Sequence, residues 1–167
     1  MRKIITITIL FLFQSLNVFS QEDREINQNW SNVKTQLELK TEVILKFTGK
    51  VKKSKIIDQS ELKQTEIYNT ELKKVLENKI LNQATVSEIR KKNNELNTHL
   101  VRILVGLESD FKLTNDDSVM SLYDQLSNSE IQILAAIKKH NQSCVKQNKK
   151  ELIFEIHGEN KAPSVEF

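Results

Sequence analysis

Residues 22–52 read EDREINQNWSNVKTQLELKTEVILKFTGKVK, and this stretch decides the fold. Ile26, Trp30, Val33, Leu37, Ile44, Phe47 and Val51 recur at intervals that place them on one face of an α-helix. Lys40 falls on the same stripe as its polar interruption. The spacing predicts a helix from about Glu22 to about Lys52. From Trp30 to Lys150 the chain has no proline and only two glycines, Gly49 and Gly106, so little in it would break long helices.

Working outward, residues 53–57 form a short connection to Asp58, whose carboxylate can cap a second helix while Glu61 completes a capping box. Leu62, Leu72, Val75, Leu76 and Ile80 give that helix a stripe padded with Thr65 and Asn69. Asn82, Gln83 and Ala84 interrupt the pattern, and Thr85 with Glu88 predicts the opening of a third helix. Its core face is Ile89, Leu96, Leu100, Ile103, Leu104 and Leu107. A break follows Glu108, and Thr114 with Asp117 has the spacing of another cap. Val119, Leu122, Leu126, Ile133, Ala136, Ile137, His140 and Cys144 then make the last stripe. Four stripes joined by short, capped breaks predict an all-α antiparallel four-helix bundle over residues 21–150. Leu152, Ile153, Phe154 and Ile156 are too few for another helix, and residues 151–167 read as a tail that lies against the bundle or frays.

The first twenty residues, MRKIITITILFLFQSLNVFS, have a basic start, an apolar core from Ile4 to Phe13 and a more polar end, which is an export pattern. Two outcomes fit it: a signal peptide cleaved after Ser20, or a retained signal anchor. In both, Arg2 and Lys3 hold the N-terminus on the cytoplasmic side and place the rest outside the cytoplasm. Removing the segment lowers the formal net charge from +3 to about +1. A domain so nearly neutral gives no reason to expect nucleic acid as a partner.

Two segments resemble the LemA family of bacterial helical-bundle proteins. In WSNVKTQLELKTEVILKFTGKVK, Trp30, Val33, Gln36, Lys40, Glu42, Ile44 and Val51 stand at family positions. In LVRILVGLESDFKLTNDDSVMSLYDQLSNSEIQILAAIKKHNQ, Leu104, Glu108, Leu113, Leu122, Leu126, Glu130, Ile133, Ala136 and Asn141 do so without a gap. Leu45 replaces a usual proline, Ile131 and Gln132 replace a common asparagine and arginine, and His140 replaces a tyrosine. The resemblance implies an N-terminal membrane segment or signal, an extracytoplasmic antiparallel bundle, no established enzymatic activity, and envelope proteases as neighbours.

Counting from the end shared by the first and last helices places Lys40 and Glu130 at one level, roughly 20 Å up the bundle. They are expected to face each other as a partly buried pair, either a register-setting ion pair or the start of a polar pocket. The same counting sets Trp30 level with His140, as a core end or an interaction patch. Lys138, Lys139, Lys146, Lys149 and Lys150 gather where cations complement the last helix's dipole, and could touch anionic lipid. His140 and Cys144 are one turn apart but supply only two metal ligands, and Cys144, the only cysteine, reads as buried.

No nucleophile motif or phosphate loop is visible. The expectation is a non-enzymatic envelope bundle without cofactor or metal that docks an unidentified protein. The alternative is a peripheral module that binds anionic lipid through its lysine-rich end. Val43, Leu45 and Ile67 are apolar residues left over for a homo-oligomer.

Overall fold

The computed structural model describes residues 2–155, with side chains described from Arg24 onward. Pro163, Phe167, His157 and Ile156, and the side chains of the export-type segment, lie outside the described residues. Helix α1 spans Arg2–Val51, α2 Gln59–Leu76, α3 Gln83–Glu108, the short α4 Phe111–Thr114 and α5 Asp117–Lys146, followed by a 3-10 turn at Lys150–Leu152. Among the described residues there is no β-strand, and no helix is long and apolar enough to cross a membrane.

The four long helices are successively antiparallel. Glu25 on α1 meets Lys146 on α5 while Lys40 meets Glu130, so numbers rise along one helix as they fall along the other. Glu61 with Arg102 and Glu71 with Lys92 show the same reversal between α2 and α3. Helix α1 packs most extensively on α5, α2 on α3, and α1 on α2. The circuit therefore runs α5, α1, α2, α3 and leaves a seam between α3 and α5.

The stripes form the core. Val33, Leu37, Ile44, Phe47 and Val51 on α1 meet Leu72 and Leu76, Ile89, Leu96 and Ile103, and Leu126, Ile133 and Ile137 from the other helices, all buried. Each such side chain withdrawn from water contributes on the order of 1.5–3 kcal/mol. Thr65 and Asn69 are buried as the stripe's padding, and Asn69 donates to the Thr41 carbonyl at 3.0 Å, joining α2 to α1.

The ends depart from the sequence reading in four places. Helix α2 stops at Leu76, where Lys34 reaches over from α1 and donates to the carbonyls of Leu76 and Asn78 at 3.2 and 2.9 Å. Ile80, expected in the core, lies beyond that stop and is exposed. Asp58 caps α2 through the Ser60 amide, but Glu61 turns to α3 instead of closing a box. Asn82, not Thr85, caps α3, and its side chain accepts from the Thr85 amide at 2.9 Å. Asp116, not Thr114, caps α5; Thr114 closes α4, which Asp110 caps while also accepting from Ser54 at 2.6 Å. At α3 an amide three residues before the threonine, and at α5 a carboxylate two residues after it, reached the free amides instead.

Helix α5 ends on Asn148, the one non-glycine residue with positive φ among the described residues, at 56°. The Lys149 amide bonds back to the Cys144 carbonyl and the Asn148 amide to that of Val145, a Schellman reversal. It sends residues 150–155 back across the end of the bundle.

Candidate functional site

Lys40 is wholly buried at mid-bundle. Its ammonium lies 2.5 Å from Glu130 Oε1 on α5 and donates to Asn93 Oδ1 at 3.1 Å and to Asn97 Oδ1, both on α3. An ammonium has three N–H groups and accepts nothing, so the three oxygens use its whole capacity. That also fixes both asparagines: their oxygens face Lys40, and their NH₂ groups face away. Burial holds the Lys40 pKa below its ordinary value, with the Glu130 carboxylate opposing the shift. Glu130 itself keeps 40% of its side chain exposed, at the edge of the α3/α5 seam. The arrangement ties α1, α3 and α5 at one level and leaves the ammonium no free donor for chemistry.

Trp30 and His140 meet at the other predicted level, with ring centroids 5.2 Å apart, and both are buried. Phe154 completes the group 6.4 Å from Trp30. His140 Nε2 donates to the Leu152 carbonyl at 2.9 Å, which sets the tautomer. Burial lowers its pKa, and the carbonyls of Leu152 and Ile26 oppose that shift. Cys144 Sγ sits 3.4 Å from Nε2, and burial pushes its thiol up to about 11, so it is an inert packing group. Among the described residues no cluster of three or more metal-ligating side chains exists.

The structure spreads the five lysines over the surface. Lys138, Lys139, Lys149 and Lys150 are exposed, and Lys146 pairs with Glu25 at 3.2 Å. Lys138 and Lys146 flank a shallow depression floored by Leu134, Ala135 and Val145 on the outer face of α5. Of the residues expected for self-association, Leu45 and Ile67 are exposed, while Val43 packs partly against the core.

Three features escaped sequence reading. Asn93 and Asn97 hold Lys40 from α3, and Asn93 was legible as a polar residue one turn after Ile89 on the core stripe. Between α2 and α3 a polar lattice forms: Glu61 accepts from His99 Nδ1 at 2.6 Å and from Arg102 at 2.7 Å, while Tyr68 stacks on His99. These bonds, from His99 first, hold the Glu61 carboxyl below its usual range. The third is the seam itself. Val101 of α3 and Leu134 of α5, 57% and 44% exposed, border a groove that Asn97 and Glu130 also line.

A bundle of four long antiparallel helices tied at mid-height by one buried lysine defines the class as an all-α helical bundle. The LemA family model matches residues 29–156, most of the chain and all four long helices in whole or part, and the chain belongs to that family. No curated protein matches it.

Proposed function

We propose that this LemA-family chain is a non-enzymatic exported bundle that works outside the cytoplasm by docking another protein of the cell envelope. The observation that carries the reading is the groove of the α3/α5 seam, bordered by the exposed side chains of Val101 and Leu134. Scattered exposed apolar residues are ordinary, but exposed apolar residues that border a groove favour a binding face. The export-type N-terminus supports the address.

The test is crosslinking in intact cells of the C-terminally tagged chain against Leu134→Lys. A stoichiometric protein recovered with the wild type and lost with the variant is the expected result. Equal recovery from both removes the seam as the docking face, and recovery of neither removes the docking role. The mass of the mature N-terminus in the same sample distinguishes a chain beginning at Gln21 from one beginning at Met1.

A second reading, contact with anionic lipid, is favoured by Lys138 and Lys146 flanking the apolar depression on α5. It requires binding to phosphatidylglycerol vesicles that weakens as salt rises, because exposed charges are screened. Binding unchanged by salt contradicts it.

A further inference from the structure

The second half of α5 and the turn after it carry charge of one sign. Residues 131–150 hold five lysines and no aspartate or glutamate. Four of these lysines border three different depressions. Lys149 lies beside Ile26 and Asn82, and Lys150 beside Gln83 of α3. Lys138 and Lys146 border the depression floored by Leu134, Ala135 and Val145. Leu134 also lines the α3/α5 groove, so this depression and the seam adjoin.

The depression has an apolar floor and a cationic rim. Leu134 and Val145 both stand exposed on it. Lys138 and Lys146 are two helical turns apart, about 12 Å along the axis at about 1.5 Å per residue. Glu25 of α1 shows that a carboxylate can reach this rim, since it pairs with Lys146 at 3.2 Å while both side chains stay exposed. An exposed pair of that kind contributes little to stability, so a second carboxylate can take Glu25's place.

We infer, resting on the docking role, that this depression receives an acidic segment of the docked protein, with two carboxylates about 12 Å apart and an apolar side chain between them. The apolar floor gives that segment area to bury, and the two lysines select its charge and fix its register. A membrane surface fits less well. A sheet of anionic headgroups attracts lysines that share one face, whereas these are divided among three depressions, and the apolar groups lie on a floor between lysines.

The test is zero-length crosslinking with a carbodiimide, which joins an amine to a carboxylate only where the two touch, in intact cells carrying the tagged full chain. The expected result is an amide link from Lys138 or Lys146 to an aspartate or glutamate of one partner protein. Lys138→Glu with Lys146→Glu should cut recovery of that protein about tenfold, because like charges then face each other. Glu25→Gln, which releases Lys146, should raise it about twofold. All three side chains are exposed, so the core is spared, and urea unfolding of each variant checks this. Links confined to other lysines, or equal recovery from the charge-reversed variant, overturn the inference and leave docking at the seam standing. Binding of the purified chain to phosphatidylglycerol vesicles that the charge reversal abolishes gives these lysines to lipid and also overturns it. Absence of any partner with amine-to-amine crosslinkers as well removes the docking role itself, and the acidic segment with it.

Discussion

Lys40 and His140 are both fully buried, on facing helices of one bundle, yet their surroundings are built by different rules. At the centre, three donors meet three acceptors drawn from two other helices. At the aromatic end His140 Nε2 bonds the Leu152 carbonyl, while His140 Nδ1 and Trp30 Nε1 find no hydrogen-bond partner among the described residues. Hydrogen-bond matching specifies the centre, whereas shape specifies the end. Substitutions that preserve shape should therefore be tolerated at the end and costly at the centre.

The largest expected effect is at the end. Trp30→Ala removes a buried indole and should cost about 4 kcal/mol in urea unfolding. Trp30→Phe keeps most of the ring and removes only a donor that is unmatched within the protein, so its cost should be about 1 kcal/mol. If the two variants lose the same amount, the indole nitrogen matters and the contrast fails.

Lys40→Met is the counterpart at the centre. It keeps length and apolar stem but leaves the Asn93 and Asn97 oxygens and Glu130 without their donor, and should cost about 2 kcal/mol. Buried ion pairs replaced by apolar groups are often neutral. A neutral Lys40→Met would show that the asparagines and Glu130 rehydrate freely through the seam, contrary to a centre held by matching.

Smaller effects come from pH. Burial lowers the folded-state pKa of Lys40 below 10.5, so in the alkaline window up to 10.5 the unfolded chain holds more protons than the folded one. Stability of the wild type relative to Lys40→Met should then rise with pH across that window. His140 behaves alike on the acid side. Its pKa is lowered from 6.5 by burial, so stability should fall as pH drops below 6.5, and His140→Phe should flatten that limb. Glu61, Asp110 and Asp116 have lowered carboxyl pKa values, and their losses belong at more acid pH. Flat difference curves in both windows would mean that neither group changes protonation preference on folding.

The four long helices and the two predicted levels were legible because each follows from one-dimensional counting: stripe period, cap spacing and rise per residue. Lys40 with Glu130 and Trp30 with His140 are found within contact distance. What counting along one helix could not supply is the angular order of the helices around the bundle. The engagement of Lys40 by Asn93 and Asn97, the Glu61 lattice and the open seam all depend on that order. The misplaced caps have a local cause: several residues near each break could bond the same free amides, and geometry chose Asn82 and Asp116. Asn148 was a readable stop, an asparagine placed where the chain needs positive φ.

A double-mutant cycle on Lys40→Met and Glu130→Gln, read by urea unfolding, tests most directly whether the bundle centre is held by matched hydrogen bonds across helices. The account expects the two losses to be non-additive, with a coupling of about 1–2 kcal/mol. Additive losses, within about 0.3 kcal/mol, would mean that the two side chains do not depend on each other and would contradict it.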